Sequence, residues 1–536
     1  MNASTDPFLR APARSVTRGL SRRTVLLGGL AGVAGVATAG TPALAGDGHG
    51  HGHGHGPRKP DPRIRPAERR LLTRWARDTW RSLVAMTDPR TGLVSDNITG
   101  DLATPGTYTS PTNIAGYLWS AIVARELRLI TPGEASRRIR RTLRTLGTME
   151  HHEASGMYYN WYDPRDASVI YEWPDNGNPV VPFVSSVDAS WLGAALLVVR
   201  NADPANARVA GQMFDRMRFD VFADPTFAKP YLMYGGFYRE EPTRLIAPPP
   251  TEARDLIGEG RPVWYTATHH YDTIVSETRI TTYLAIAKRQ VPPEAYFQAW
   301  RTFPPDWDWP EMPPVGEWRT YLGVDVFEGA HDYYGLRTVP GWGGSMFEEL
   351  MPNVFVPEER WAPASWGRNH PNHVAVQRMH GMDSYGYWGF SPASHPFGGY
   401  AEWGVDALGL RPDGYFSDVE HTDYHWRDNP DPVYGDGVVT PHAAFLGMMH
   451  ERSAAVENLA RIEADFDAYG PGGFYDAIAT RSGTVARRHL SLDQAMIMGA
   501  VGNVLADKLM QRAFVRGEVE RRLRPVLALE EFGASS

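Results

Sequence analysis

The sequence predicts an all-α protein in which helix pairs form a toroid, with long aromatic and acidic loops gathered at one end. Apolar residues recur every three or four positions in many separate segments, whereas the alternating pattern of strands is rare and short. Loops rich in Gly, Pro, aromatic and acidic residues separate these segments at 158–186, 222–275, 300–345 and 365–440. Because loops of this length are commonly functional, we expect a cleft at the end that carries them.

The predicted helices follow one another along the chain. The first begins at Pro66, where proline is tolerated, and places Trp75, Ala76 and Trp80 on one apolar stripe. The second runs from Asn113 to about residue 129 and ends at the turn that contains Pro132. Similar stripes are predicted near 134–149, 188–200, 205–217, 276–288, 442–450, 452–466 and 491–513.

The composition excludes several classes of function. The 536 residues carry a formal net charge of −8, which gives no sign of the basic face that a nucleic-acid partner requires. The chain has no cysteine, so disulfides, thiol nucleophiles and cysteine-ligated metals are excluded. The 17 Trp and 24 Tyr suit either stacking on sugar rings or packing between helices, and their number alone does not decide between the two.

The first 65 residues have the pattern of an export signal followed by a linker. Ser21-Arg22-Arg23 is a twin-arginine pattern, and the apolar stretch that follows is too short to span a membrane. Ala43-Leu44-Ala45 predicts cleavage after Ala45, which would leave no membrane anchor. We therefore expect a secreted protein with a signal peptide at 1–45, a His/Gly/Pro-rich disordered linker at 46–65, a catalytic domain at 66–520 and a C-terminal tail at 521–536.

Four acidic residues are candidates for catalysis or substrate binding. Glycoside hydrolysis requires two carboxyl groups, one that protonates the departing oxygen and one that activates water or attacks the anomeric carbon. Asp188 and Glu277 each stand at the start of an apolar helix, where helix capping is an equally good interpretation. Glu348 and Glu402 follow Gly-rich aromatic segments that suit a sugar subsite, although Glu348 could equally pair with an arginine.

Aromatic side chains near these acids are candidate platforms for sugar rings: Tyr159, Trp161, Trp342, Trp388, Tyr400 and Trp403. His269-His270 and the group His421, Asp423 and His425 have a spacing that only weakly indicates a metal site. The alternating His49, His51, His53 and His55 are interpreted as part of a flexible tether. We expect no metal and no cofactor.

Nine short segments, in order between about residues 70 and 510, resemble the glucoamylase-like domain family. This family includes endo-β-1,2-glucanases and the chain-processing domain of cyclic β-1,2-glucan synthases. The segments are Thr91-Gly92-Leu93-Val94-Ser95-Asp96, Thr109-Ser110-Pro111-Thr112-Asn113-Ile114, Tyr159-Asn160-Trp161-Tyr162-Asp163, Ser186-Val187-Asp188, Ser276-Glu277-Thr278-Arg279 with Leu284-Ala285-Ile286-Ala287-Lys288, Gly343-Gly344-Ser345-Met346-Phe347-Glu348-Glu349-Leu350-Met351-Pro352, Tyr387-Trp388-Gly389-Phe390-Ser391, Gly473-Phe474-Tyr475-Asp476 and Leu492-Asp493-Gln494-Ala495-Met496.

The resemblance implies an (α/α)6 barrel and hydrolysis or transglycosylation of a β-glucan, with β-1,2-glucan as the expected substrate. It also implies that Glu277 is the leading catalytic carboxyl group, acid or nucleophile, and that Asp188 is its partner. Thr278 departs from the usual family pattern, which has alanine there, as does the insert around 402–437. These departures leave room for a different bacterial polysaccharide as substrate.

Two other classes of function remain open at this stage. A catalytically silent glycan-binding barrel would keep the aromatic residues but tolerate loss of Asp188 or Glu277, and both are present. A polysaccharide lyase on the same kind of toroid would need basic residues to bind a uronic acid polymer, whereas the predicted loops are acidic and aromatic. We therefore expect a monomeric glycoside hydrolase whose partner is a poly- or oligosaccharide.

Overall fold

The computed structural model describes residues 64–267, 269–303, 314–410 and 436–535. The predicted signal peptide, almost all of the linker and the group His421, Asp423 and His425 lie outside these ranges. Within the described ranges, no helix is long and apolar enough to cross a membrane.

Helices form the body of the protein. They are α1 Pro66–Ala85, α2 Pro111–Glu126, α3 Pro132–Leu146, α4 Ser186–Ala202, α5 Ala207–Arg216, α6 Arg279–Ala287, α7 Met346–Phe355, α8 Glu358–Trp361, α9 Trp366–Ser384, α10 Pro441–Gly447, α11 Arg452–Asp465, α12 Ser491–Leu505, α13 Leu509–Phe514 and α14 Glu518–Leu527. Their positions confirm the predicted helical segments, whereas α7, α8, α9 and α14 were not among the predicted helices. The predicted segment 491–513 is divided into two helices at Asp507 and Lys508, whose φ angles are positive. The predicted loop at 365–440 contains α9.

The helices separate into buried and half-exposed sets. Nearly every residue of α2, α4 and α12 is buried, as expected of helices that are apolar on all sides. The helix α2 packs against both α4 and α12, and α12 also packs against α1 and α10. By contrast, α3 buries one stripe, which includes Ile139 and Leu143, and exposes a row of arginines. The buried helices therefore form the centre of the domain, and amphipathic helices such as α3 cover them.

Short strands also occur between the helices, so the prediction of an all-α protein is only partly correct. They are β1 Asn97–Thr99, β2 His151–His152, β3 Met157–Tyr158, β4 Phe183–Ser185, β5 Ala223–Asp224, β6 Leu232–Tyr234, β7 Gly236–Tyr238, β8 Thr251–Arg254, β9 Val263–Thr266, β10 His270–Tyr271, β11 Val315–Tyr321, β12 Val324–Tyr333, β13 Leu336–Thr338, β14 Ala393–Ser394, β15 Tyr400–Ala401, β16 Val438–Val439, β17 Tyr469–Gly470, β18 Gly473–Phe474, β19 Ala477–Ala479, β20 Thr484–Ala486 and β21 Arg488–Leu490. All of their pairings are antiparallel; the largest sheet has the order β4-β7-β9-β8, and the longest strands form β11-β12-β13.

These small sheets hold the N-terminal ends of several central helices. Strand β4 leads directly into α4, β16 into α10 and β21 into α12, and β21 pairs with β1 in register Asn97 to Leu490. Strand β10 lies shortly before α6 and pairs with β6. The first turns of the central helices are thus fixed by strands, and the acidic side chains described below lie on or beside these turns.

The chain after residue 520 packs against the domain. Helix α14 crosses the predicted boundary at 520 and buries Leu523 and Leu527. Phe532 is buried beside Trp366, and Glu530 accepts hydrogen bonds from Arg301 and Tyr296. In the structure, residues 521–535 are therefore part of the folded domain rather than a separate tail.

Candidate active site

Asp188 lies in the first turn of α4, three residues after the residue that caps the helix. The cap is Ser185, whose hydroxyl accepts a hydrogen bond from the backbone N–H of Asp188 at 3.2 Å. The Asp188 carboxylate instead accepts a hydrogen bond from Thr112 Oγ1, in the first turn of α2, at 2.6 Å. Burial raises the pKa of Asp188, and the hydrogen bonds it accepts only partly offset this. Helix capping therefore does not explain this acid.

Glu277 lies between β10 and α6, and its side chain points toward α4. Trp191 Nε1, one turn beyond Asp188, donates a hydrogen bond to Glu277 Oε2 at 2.6 Å. Burial, together with the neighbouring negative charges of Asp188 and Glu348, raises the pKa of Glu277 to about 8. A carboxyl group with such a pKa holds its proton at neutral pH and can donate it, as a general acid must.

Glu348 lies in the first turn of α7, where Ser345 caps the helix. The backbone N–H of Gly343 donates a hydrogen bond to Glu348 Oε2 at 3.0 Å. A Cβ atom on Gly341 would lie 2.7 Å from the carbonyl oxygen of Val275 and 3.0 Å from Glu348 Oε2, so only glycine fits there. Burial raises the pKa of Glu348 to about 8, and the charge of the exposed Glu402 contributes to this rise.

The negative charges of the three carboxyl groups act on one half-buried phenol, that of Tyr271. Burial and the negative charges of Glu277, Asp188 and Glu348 together raise the pKa of Tyr271. Residues from three separate stretches of sequence, around 188, 271–277 and 348, thus act electrostatically on one another. Like charges that act on one another in a partly buried site favour protonation of some members of the group. The arrangement supplies both a protonated and an ionisable carboxyl group, which is what acid and base catalysis by two carboxyls requires.

A buried ion network fixes the backbone on either side of this group. Arg279 donates to the carbonyl oxygens of Ser276 and Glu348, each at 2.8 Å, and its Nε donates to Glu358 Oε1 at 2.7 Å. His370 lies 2.6 Å from Glu349 Oε1 and 3.3 Å from Glu358 Oε2. Burial alone would lower the pKa of His370, but the two glutamates outweigh it and raise the pKa to about 9.

The network predicts a large loss of stability when Arg279 is removed. Arg279→Met leaves Glu358 buried without its guanidinium partner, and we expect the free energy of unfolding to fall by about 3–5 kcal/mol. The measurement is urea denaturation of the full chain. Arg319→Met, which removes partly exposed surface pairs with Glu317 and Glu531, is the matched control and should cost at most about 1 kcal/mol. Equal losses for the two variants would contradict the role assigned to Arg279.

A pH dependence of stability follows from the raised pKa values of Glu277 and Glu348. An unfolded glutamate titrates near about 4.3, whereas each of these titrates at about 8 in the folded protein. Between these values the folded state binds more protons, so its stability is greatest at the acidic end and falls as the pH rises to about 8. Denaturation midpoints measured from pH 5 to pH 8 should fall less steeply in Glu277→Gln/Glu348→Gln than in the wild type. If the midpoints of the two proteins fall equally with pH, Glu277 and Glu348 do not hold their protons over this range.

A second acidic group, which sequence analysis did not identify as a site, lies at the starts of α10 and α12. His442 Nδ1 is 3.3 Å from Asp493 Oδ2, and Asp476 Oδ2 accepts a hydrogen bond from the Ser394 backbone N–H at 2.6 Å. Asp476 and Asp493 occur in two of the segments quoted for the family resemblance, without a role being assigned to them. Asp493 occupies the first turn of an apolar helix, as Asp188 does, and this signal could have identified it.

The predicted aromatic platforms are placed in different surroundings. Tyr400 is 43% exposed, next to Glu402, while Trp161 and Trp342 are half-buried. Tyr159 and Trp403 are buried, at 3% and 6% exposure. The prediction for Trp388 needs correction, because its ring is 1% exposed and packs against Gly447 in the core.

Comparisons with known sequences agree with the family resemblance. Residues 269–518 match the Glycoamylase family model, and residues 74–224 match a family described as a protein of unknown function, DUF3131. The chain is 26% identical over 260 residues to the cyclic β-(1,2)-glucan synthase NdvB of Rhizobium meliloti (strain 1021). That match covers 46% of this chain but only 7% of the relative's length.

Comparisons with solved structures show the fold. An endo-β-1,2-glucanase from Chitinophaga pinensis, in complex with sophorotriose and glucose, superposes with a TM-score of 0.59 at 16% identity, over 85% of this chain and 97% of that one. An endo-β-1,2-glucanase from Talaromyces funiculosus, in complex with sophorose, gives a TM-score of 0.59 at 12% identity, over 85% and 89% of the two chains. The resemblance predicted from the sequence is therefore confirmed: residues 269–518 match the Glycoamylase family model, and the chain shares its fold with these glucanases.

Proposed function

We propose that this protein is a secreted, monomeric glycoside hydrolase with an (α/α)6 barrel that cleaves a β-glucan, with β-1,2-glucan as its substrate. Glu277 donates a proton to the glycosidic oxygen as the bond to the anomeric carbon breaks. Asp188 is its partner carboxylate and assists the attack that brings in water. One water molecule is consumed per bond, and two shorter glucans are released.

The observation that carries this proposal is the grouping of Glu277, Asp188 and Glu348 around Tyr271. Two of these carboxyl groups, Glu277 and Glu348, have pKa values of about 8, above the usual range, because of burial and neighbouring negative charges. These charges are Asp188 and Glu348 for Glu277, and Glu402 for Glu348. Shifts of this kind, produced by burial together with specific charged neighbours, are typical of catalytic sites. A barrel that only bound glycans would have no need of carboxyl groups whose pKa values are raised in this way.

The choice of β-1,2-glucan is supported by the relatives. The NdvB protein is named for cyclic β-(1,2)-glucan synthesis, and both solved structures are named as endo-β-1,2-glucanases. In this chain, the exposed ring of Tyr400 lies beside Glu402, and the charge of Glu402 acts on Glu348. We infer that this ring stacks on a sugar unit next to the cleavage point.

A panel of linear β-1,2-, β-1,3-, β-1,4- and β-1,6-glucans tests the proposal. Each polymer is incubated with the purified full chain, and products are separated by chromatography. We expect oligosaccharides from the β-1,2 polymer, with little or no product from the others. Products from another linkage alone would overturn the substrate assignment, and the absence of product from every polymer would overturn the proposed activity on glucans.

A further inference from the structure

Three aromatic rings form a cluster beside the start of α2. The ring centroid of Trp173 lies 5.3 Å from that of Tyr108 and 5.3 Å from that of Trp161, and both contacts are edge-to-face. All three side chains are half-buried, so part of each ring is open to solvent. Trp161 was predicted to be a sugar platform, whereas sequence analysis assigned no role to Tyr108 or Trp173.

A short backbone pairing connects this cluster to the candidate active site. Thr109 and Tyr162 donate backbone hydrogen bonds to each other, at 2.9 and 3.0 Å. In an antiparallel pair this register sets Trp161 opposite Ser110, on the same face. The hydroxyl of Ser110 is one of those whose hydrogen bonds to the Asp188 carboxylate partly offset the effect of burial on its pKa. Trp161 therefore lies next to a residue that contacts Asp188.

The cluster faces away from the core. Successive side chains of an extended segment point to opposite faces. Thr109 and Tyr162 are fully buried, at 0% exposure, whereas their neighbours Tyr108 and Trp161 are half-buried on the other face. Rings that only filled the core of a loop would be buried as Tyr162 is. The partly open rings instead present an apolar surface on which a sugar ring can stack.

A tight turn holds the ring of Trp173 in place. The backbone N–H of Trp173 donates to the carbonyl oxygen of Asn178, and that of Gly177 donates to the carbonyl oxygen of Trp173, both at 2.8 Å. The side chain of Asn176 accepts a hydrogen bond from the backbone N–H of Asn178 at 2.9 Å. A ring that is fixed before binding loses little conformational freedom when a ligand arrives, so its contact contributes more to affinity.

Asp96 adds a polar group at the edge of the cluster. Its Oδ2 accepts a hydrogen bond from Tyr108 Oη at 3.1 Å, and its Oδ1 accepts one from Asn113 Nδ2 at 3.0 Å. Its carbonyl oxygen accepts a hydrogen bond from the backbone N–H of Ser491 at 2.7 Å. Asp96 thus lies between the starts of α2 and α12, at the same end of the domain as Asp188. Aromatic rings with a few polar groups beside them are typical of ligand sites.

We propose that Tyr108, Trp161 and Trp173 form a platform that binds the glucan chain beyond the sugar unit held at Asp188. Trp161 is the nearer ring, because it lies opposite Ser110, and Trp173 lies beyond it. A chain contacts Trp173 only if it extends past the unit beside Asp188. This inference rests on the proposed activity and specifies its substrate, since it makes the protein selective for extended chains over disaccharides.

Binding of β-1,2-linked gluco-oligosaccharides, from the disaccharide to the octasaccharide, tests this inference. The parent protein is the full chain with Glu277→Gln, which prevents cleavage during calorimetry. We expect its affinity to rise with chain length. Adding Trp173→Ala should weaken binding of the longest chains by about 10-fold and leave the disaccharide nearly unaffected.

Two further variants separate stacking from general effects. Trp173→Leu keeps an apolar side chain without the flat ring and should show the same loss, even if Trp173→Ala does not fold. Trp318→Ala is the matched control, because Trp318 lies on β11 and is 57% exposed, and it should bind every chain as the parent does.

The possible failures are distinguishable. If Trp173→Leu binds chains of every length as tightly as the parent, the platform is wrong, while the proposed cleavage by Glu277 and Asp188 stands. An equal loss at every length, the disaccharide included, would also overturn the platform. If the parent binds none of the oligosaccharides, the proposed substrate is wrong and the platform falls with it.

Discussion

Replacing Glu277 by Gln is expected to lower kcat on β-1,2-glucan by about 10³-fold or more while the protein remains folded. The amide keeps the shape of the side chain, and its oxygen can still accept the hydrogen bond from Trp191. It cannot donate a proton as an acid, and general acid catalysis typically contributes about 10²–10⁴-fold. Glu153→Gln, at an exposed glutamate, is the matched control and should keep wild-type activity. Near-normal turnover by Glu277→Gln would show that another group supplies the proton.

Replacing Asp188 by Asn is expected to lower kcat by about 10²–10⁴-fold for a different reason. The amide oxygen can keep the hydrogen bond from Thr112, so α2 and α4 should stay in place. The carboxylate charge, to which we assign the role of assisting the attack on the anomeric carbon, is lost. Steady-state kinetics on β-1,2-glucan measure the effect, and a change in KM with unaltered kcat would mean that Asp188 only binds substrate.

Thr112→Val offers a milder test of the same residue. The hydroxyl of Thr112 stabilises the ionised form of Asp188, so its removal should raise the pKa of that carboxyl further. The acidic limb of the pH–rate profile should then move to higher pH while much of the activity at neutral pH remains. An unchanged acidic limb would show that Asp188 is not the group whose ionisation limits the rate.

Much of the central architecture could be predicted from periodicity and local signals. Helix α1 begins at the predicted Pro66, and Asp188 and Glu277 lie at helix starts as their sequence contexts indicate. Asp188 and Glu277 are 89 residues apart in the chain. The prediction that they lie near each other followed from the family resemblance and not from periodicity. The alternative of capping at Asp188 could be rejected only with the structure, which shows Ser185 in that role.

The features that were missed depend on contacts between distant segments. Strand β1 pairs with β21, nearly 400 residues later, and strands this short leave no alternating pattern to detect. Helix α9 is polar and contains Pro371, so its sequence looks like a loop. Trp388 is buried by the packing of Gly447, and nothing in its local Gly-rich aromatic segment separates a core ring from a sugar platform.

One comparison tests most directly whether this domain cleaves β-1,2-glucan or only binds it. Wild type and Glu277→Gln are each titrated with β-1,2-glucan by calorimetry and assayed for new reducing ends on the same polymer. We expect similar affinity for the two proteins, with reducing ends released only by the wild type at an appreciable rate. Binding by both proteins without cleavage by the wild type would contradict the account, and the domain would then be a glycan-binding barrel.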